Sequence, residues 1–209
     1  MGIAAEAGDL AGILAYPFAE RPSRAALIVG PHPLMGGRVG NNVVRGVGRG
    51  LAERGLVSLR FEFSGAGVTA EIMDQFWRTG KAPDDPQRAT DARVALDWLM
   101  GVTEGSIVLV GYSFGASLLG ALLDEPRVRG LALIGATFAQ HDYTSAAVSG
   151  IPKLLIAADN DFATPIETTR QWHLAAAEAT RLVVLPSTDH FYRSQEDRIA
   201  EEILKWLPF

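Results

Sequence analysis

The sequence contains no cysteine among its 209 residues. This absence excludes disulfide bonds, thiolate metal sites and a cysteine nucleophile. An excess of positive charge is also missing, because 24 acidic residues outnumber 19 lysines and arginines and the formal net charge is −5 at pH 7. Without a basic field to attract a phosphate backbone, nucleic acid is not expected as a partner.

Long apolar runs are absent as well. No stretch approaches the length of about 18 apolar residues that suggests a membrane-spanning helix. Residues 1–9 lack the basic and apolar parts of a secretory signal. We therefore expect a cytoplasmic protein without a membrane partner. The length is that of a single domain covering residues 1–209, and no internal repeat divides it.

The chain does contain short apolar runs that alternate with segments of helical periodicity. Strands are predicted at residues 10–18, 24–29, 56–61, 106–110, 128–134, 153–157 and 181–185. Helices are predicted at 42–55, with Asn41 or Asn42 as the cap, and at 87–100, 116–123, 165–179 and 195–206. This alternation predicts an α/β fold in which a mostly parallel sheet carries helices on both faces.

Two connections interrupt the alternation. Residues 63–86 include Phe76 and Trp77 and are longer than a simple loop, so they are predicted to form a small lid or insertion. Residues 135–152 join two strands with no convincing helix, and any cap there is expected to be minimal. Both connections follow the carboxyl ends of strands, where ligands bind in open α/β sheets.

Residues 111–115, with the sequence Gly-Tyr-Ser-Phe-Gly, lie between a predicted strand and a predicted helix. The pattern G-x-S-x-G in that setting is typical of a nucleophile elbow, a sharp turn that lifts a serine hydroxyl out of the sheet. The turn leaves no room for side chains at Gly111 and Gly115. The sequence therefore predicts Ser113 as a nucleophile, with the amide of Phe114 as one donor to an oxyanion.

A carboxylate and a histidine follow the serine in the order that such chemistry requires. Asp161 comes after the strand at 153–157, and His190 comes after the strand at 181–185. A histidine must accept the serine proton, and a carboxylate must orient that histidine. We predict His190 as the general base and Asp161 as the orienting acid. Asp159 is an alternative acid, whereas Asp189 is expected to hydrogen-bond its own loop.

These motifs together resemble those of compact bacterial α/β-hydrolases, close to the dienelactone hydrolases and small carboxylesterases. The resemblance is carried by residues 32–37 (H-P-L-M-G-G), 41–44, 59–67, 111–115, 161–165 and 189–191. It implies an α/β-hydrolase fold in which Leu34 supplies the second oxyanion donor. Pro33 stands where many esterases have glycine, so Met35 remains an alternative donor.

Other side chains are assigned more loosely. His32, Met35, Phe76 and Trp77 are expected as substrate contacts, although His32 could instead brace its loop and the two aromatic residues could be core. His141 and His173 are interpreted as ordinary histidines, and the glycines at 46, 48 and 50 as positions that pack against the sheet. No metal-binding spacing is present, and no metal or cofactor is expected.

The function that these residues indicate is hydrolysis of a small carboxylic ester or thioester through an acyl-serine intermediate. An acyltransferase or a peptidase would use the same three residues, because the acceptor is selected by the shape of the pocket. A binding protein that retains the fold without activity is a third hypothesis. The oligomeric state is not predicted.

Overall fold

A computed structural model of the chain describes residues 1–5, 8–17, 22–65, 70–79, 86–177 and 179–209. Within these ranges the strands form one sheet of eight. They are β1 (Gly2–Ile3), β2 (Leu10–Ala15), β3 (Arg24–Val29), β4 (Val57–Phe61), β5 (Ser106–Tyr112), β6 (Val128–Ile134), β7 (Lys153–Ala158) and β8 (Thr180–Leu185). Their order across the sheet is β1-β2-β4-β3-β5-β6-β7-β8.

The helices described in the same ranges flank this sheet. They are α1 (Asn42–Glu53), α2 (Ala70–Thr79), α3 (Gln87–Val102), α4 (Phe114–Leu118), α5 (Thr144–Val148), α6 (Ile166–Ala175) and α7 (Glu196–Trp206). Short 3-10 turns cover Pro33–Met35 and Leu119–Leu122. None of these described helices has both the length and the apolar character needed to cross a membrane.

The six strands β4, β3, β5, β6, β7 and β8 pair in parallel, in that order across the sheet. At one edge of the sheet, β2 pairs antiparallel with both β1 and β4. The mostly parallel sheet predicted from the sequence is therefore confirmed. Parallel strands all end at the same edge, so the loops after β5, β7 and β8 meet there. This arrangement brings together residues that lie far apart along the chain.

The core has two layers, one on each face of the sheet. Successive residues of β5 alternate between them, so that Ile107 and Leu109 belong to one apolar cluster and Val108 and Val110 to the other. Residues of α3 complete the first cluster, and residues of α1 and α7 complete the second. The strand that leads to Ser113 is thus buried on both faces and held rigidly.

Some predicted boundaries differ from the structure. The first predicted strand, 10–18, ends at Ala15, and position 18 lies outside the described residues. The prediction of no convincing helix in 135–152 is wrong, because α5 lies within that range. It begins at Thr144, whose amide and hydroxyl both donate to Asp142. The two-residue strand β1 was not predicted.

The segment predicted as a lid, 63–86, contains α2. Residues 66–69 and 80–85, which flank that helix, lie outside the described residues. All ten residues of α2 are at least partly exposed. The prediction of a lid at 63–86 therefore stays a prediction.

Helices α1 and α7 pack closely because α1 has glycine where they meet. A Cβ atom added to Gly46 would lie 2.5 Å from the Cβ of Glu196, and one added to Gly50 would lie 2.7 Å from the Cβ of Ala200. Only Gly48 faces the sheet, with its added Cβ 3.1 Å from Ile28. The expectation that all three glycines pack against the sheet is therefore wrong for Gly46 and Gly50.

We expect Gly50→Ala to lower the free energy of unfolding by about 1 to 3 kcal/mol, because overpacking against Ala200 outweighs the gain in helix propensity. The matched control is Gly101→Ala in α3, where an added Cβ would have nothing within 4 Å. The control should be neutral or stabilising by up to about 1 kcal/mol. Urea unfolding of both variants measures the difference, and equal stability of the two would contradict the close packing.

Candidate active site

Ser113 lies between β5 and α4 in a strained backbone conformation, with φ 54° and ψ −123°. The neighbouring glycines make the turn possible. A Cβ atom added to Gly111 would lie 2.4 Å from the Cα of Ala116, and one added to Gly115 would lie 2.3 Å from the carbonyl oxygen of Val29. Real Cβ atoms do not approach so closely, so these two positions accept only glycine without rearrangement.

A continuous chain of hydrogen bonds joins Ser113, His190 and Asp161. The Nε2 atom of His190 lies 3.0 Å from the hydroxyl oxygen of Ser113. On the other side of the ring, Nδ1 lies 2.9 Å from Oδ1 and 2.8 Å from Oδ2 of Asp161. A carboxylate can only accept, so Nδ1 carries a proton and Nε2 is left to accept from the serine. All three residues are at least nine-tenths buried.

Two aspartates follow β7, and they occupy different environments. Asp161 accepts from the backbone amides of Ala163 and Thr164 at 2.8 and 3.1 Å while it contacts His190. These bonds fix the carboxylate in front of the imidazole. The structure therefore places the carboxylate of Asp161 beside the imidazole of His190.

Asp159 instead supports the loop that precedes the histidine. Its two carboxylate oxygens accept from the amides of Ser187 and Thr188 at 2.9 and 3.0 Å. These hydrogen bonds favour the ionised form and lower the pKa of Asp159. Both oxygens of Asp159 are thus directed at the loop before His190, whereas it is Asp161 that contacts the imidazole.

Tyr112, the last residue of β5, holds the loop that carries His190. Its hydroxyl donates to the carbonyl oxygen of His190 at 2.8 Å. Burial, with a smaller contribution from the nearby Asp161 carboxylate, raises the pKa of Tyr112, so the hydroxyl remains a donor. The residue before Ser113 thus holds the backbone of His190.

Further contacts fix the residues after His190. Tyr192 is fully buried, adopts a positive φ of 49°, and donates its hydroxyl to the carbonyl of Ile156 at 3.1 Å. Asp189 accepts from the amide of Phe191 at 2.9 Å, which is the local hydrogen bond expected of it. The side-chain amide of Asn42 donates to the carbonyl of Phe191 at 2.9 Å. The loop therefore has a single well-defined course.

The predicted oxyanion donors belong to two segments, the start of α4 and the 3-10 turn at Pro33–Met35. Phe114 is the first residue of α4, and an amide at that position has no acceptor within its own helix. In the 3-10 turn the Leu34 amide donates to Nδ1 of His32 at 3.2 Å, and the Met35 amide donates to the His32 carbonyl at 2.8 Å. The Leu34 bond is the longer of the two, which favours Leu34 over Met35 as the amide that exchanges its partner.

Aromatic rings surround Phe114. The ring of His32 meets it edge-on with centroids 4.9 Å apart, and that of Phe63 lies at 6.2 Å. His141 also contacts it, at 5.3 Å, and its Nδ1 lies 2.8 Å from the hydroxyl of Thr137. His141 was interpreted as an ordinary histidine, and its place beside Phe114 had no signal in the sequence because it depends on the loop after β6.

The other predicted substrate contacts are more exposed than His32. The rings of Phe76 and Trp77 in α2 meet edge-on with centroids 5.7 Å apart, and Trp77 is 75% exposed. Met35 is half exposed on the loop that carries Leu34. Two aromatic residues that the sequence analysis does not predict as part of the site, Phe162 and Phe191, lie beside the ring of His190. Each lies one position after a residue of the hydrogen-bonded chain, which is the signal that could have revealed them.

A metal site is not visible in the part of the chain that the structure describes. No cluster of three or more histidine, aspartate or glutamate side chains is placed there to hold an ion.

The chain is similar to known proteins over most of its length. No model of a protein family matches the chain. An uncharacterized protein of Rickettsia prowazekii is 25% identical over 193 residues, which is 87% of this chain and 77% of that protein. An α/β serine hydrolase homologue from Coxiella burnetii is 24% identical with a TM-score of 0.82, covering 99% of this chain and 96% of the other.

Two further solved structures are similar. A protein of unknown function from Agrobacterium tumefaciens has a TM-score of 0.81 at 26% identity, covering 99% of this chain and 94% of the other. A dienelactone hydrolase from Anabaena variabilis has a TM-score of 0.75 at 21% identity, with the same two coverages. This chain has the α/β-hydrolase fold. The resemblance to that group inferred from the sequence motifs is thereby confirmed at the level of the fold.

The contact between Tyr112 and the histidine loop leads to a first prediction about the site. We expect Tyr112→Phe to lower the free energy of unfolding by about 1 to 3 kcal/mol, because the buried carbonyl of His190 loses its donor. Tyr16→Phe is the matched control, since Tyr16 is 56% exposed. Chemical denaturation compares the two variants. If Tyr112→Phe were as stable as the control, the hydroxyl would not fasten the loop.

Proposed function

We propose that this protein is a serine hydrolase that cleaves carboxylic esters or thioesters of small substrates through an acyl-serine intermediate. The observation that carries the proposal is the hydrogen-bonded chain from Ser113 through His190 to Asp161. The α/β-hydrolase fold and its similarity to serine hydrolase homologues support the same assignment.

The first step forms the acyl-serine. Nε2 of His190 accepts the hydroxyl proton as the serine oxygen attacks the carbonyl carbon of the substrate. Asp161 keeps the imidazole in the tautomer that accepts this proton and stabilises the imidazolium that results. Collapse of the tetrahedral intermediate breaks the bond to the alcohol or thiol, which takes its proton from His190. Water then repeats the sequence and releases the acid.

The negative charge on the tetrahedral oxygen needs donors that are already oriented. The Phe114 amide is one donor, at the start of α4. The Leu34 amide is the second, and it joins when its 3.2 Å bond to His32 is exchanged for one to the oxyanion. His32, which contacts Phe114 and is 5% exposed, then borders the carbonyl end of the substrate.

The experiment for this function is turnover of p-nitrophenyl acetate. We expect Ser113→Ala to lower kcat/KM by roughly a thousandfold or more, because the nucleophile is lost. The matched control is Ser145→Ala, an exposed serine of α5, which should keep the activity of the unchanged protein. Labelling by a fluorophosphonate probe should be lost in the first variant only. Equal turnover by both variants would refute the acyl-serine mechanism.

The two aspartates provide a second test of the mechanism. We expect Asp161→Asn to lower kcat by about 10³- to 10⁴-fold, because an amide can hold the imidazole in the wrong tautomer. Asp159→Asn should lower kcat by less than about tenfold, because the amide oxygen keeps one of the two hydrogen bonds from the loop. Steady-state kinetics on p-nitrophenyl acetate gives both values. A larger loss in Asp159→Asn than in Asp161→Asn would reverse the assignment.

The alternative acceptors can be tested with the same enzyme. An acyltransferase would transfer the acetyl group to an added alcohol, and a peptidase would cleave an amide of the same acyl group. Analysis of the products in the presence of a competing alcohol or amine measures the partition between water and the acceptor. Hydrolysis is the proposal because the three side chains suffice for it when water is the acceptor.

A further inference from the structure

Two exposed phenylalanines adjoin the histidine of the site. Phe162 is 64% exposed and Phe191 is 45% exposed. The ring of Phe162 meets the ring of His190 edge-on with centroids 5.3 Å apart, and that of Phe191 lies 6.4 Å from the same ring. The two phenylalanine rings are 5.5 Å from each other. They therefore form an exposed aromatic pair on one side of the imidazole.

The backbone of this pair is fixed. Phe162 lies between Asp161 and Ala163, whose amide donates to Asp161 at 2.8 Å. The amide of Phe191 donates to Asp189, and its carbonyl accepts from Asn42. An exposed aromatic side chain on a fixed backbone contributes contact area to a ligand with little loss of conformational entropy. The pair is thus preorganised for a flat partner.

The chemistry of the site determines which part of a substrate would meet the pair. The proton that His190 takes from Ser113 must return to the leaving oxygen, so that oxygen approaches the imidazole. The remainder of the leaving group extends away from Ser113, while the acyl part stays bonded to the serine oxygen. Phe162 and Phe191 lie beside the imidazole, whereas the proposed oxyanion donors, the amides of Leu34 and Phe114, would bind the carbonyl oxygen.

We propose that Phe162 and Phe191 form the leaving-group subsite and that they select esters of aromatic alcohols, that is, phenols. This inference rests on the proposed hydrolase function. In the step concerned, the Ser113 oxygen bonds to the acyl carbon, the bond from that carbon to the phenolic oxygen breaks, and the serine proton reaches the phenolic oxygen through His190. The departing aromatic ring packs against Phe162 and Phe191.

Arg193 supports one member of the pair. Its guanidinium lies 5.2 Å from the centroid of the Phe191 ring, a distance at which a cation is attracted to the ring face. This contact limits the rotation of Phe191 without burying it. The aromatic ring of a substrate would then meet a surface whose shape is already set.

The test compares two acetate esters that differ only in the leaving group, phenyl acetate and 2,2,2-trifluoroethyl acetate. Both give the same acetyl-serine, so kcat/KM reports the step in which the leaving group departs. We expect Phe162→Ala and Phe191→Ala each to lower kcat/KM for phenyl acetate by about threefold to tenfold. The value for trifluoroethyl acetate should change by less than about twofold.

The controls separate this inference from the function on which it rests. Leu174→Ala removes an 83% exposed apolar side chain of α6 and should change neither ester. Phe162→Leu keeps apolar area without a ring and should behave like Phe162→Ala with the phenyl ester. Circular dichroism and fluorophosphonate labelling establish that each variant is folded and keeps a reactive Ser113.

Each outcome has a defined meaning. If the unchanged protein neither cleaves the esters nor reacts with the probe, the hydrolase function fails. If it does both and the variants lose activity equally on the two esters, or on neither, the subsite fails and the function stands. A change in oligomeric state in the variants with the ratio of the two esters unchanged would mean that a second copy of the chain covers the pair, which also contradicts the subsite.

Discussion

Ser113 can present its hydroxyl at the edge of the sheet because the backbone reverses between β5 and α4 through a positive φ of 54°. That reversal presses Gly111 against Ala116 and Gly115 against the end of β3, so no side chain fits at either position. The strain is sustained because β5 is buried on both faces and cannot relax.

The other elements of the site are held in relation to that turn. Tyr112, on the same strand, bonds to the carbonyl of His190. Asp161 is fixed by backbone amides of its own loop, and Asp159 braces the loop that delivers His190. Ser113, Asp161 and His190 lie in the segments that follow three different strands, yet hydrogen bonds join their side chains to one another. Their arrangement is therefore formed by the protein alone, before any ligand binds.

The sequence was sufficient for features that depend on local pattern. The strand, turn and helix around Ser113, the order of Asp161 and His190, and the parallel sheet all follow from motif and periodicity. The position of His141 beside Phe114 could not be predicted, because it requires knowing where the loop after β6 folds. The short α5 was missed since five residues give no measurable helical period. Gly46 and Gly50 were misassigned because only the assembled core shows that α7 covers them.

Phe162 occupies a position whose main chain is fixed by the carboxylate next to it, while its side chain projects outward. A different residue at this position would alter what the rim of the site presents without displacing Asp161. The same holds for Phe191, whose carbonyl is held by Asn42 whatever side chain it carries. Under the proposed function, a substitution at either position would therefore change substrate preference and leave the three catalytic side chains in place.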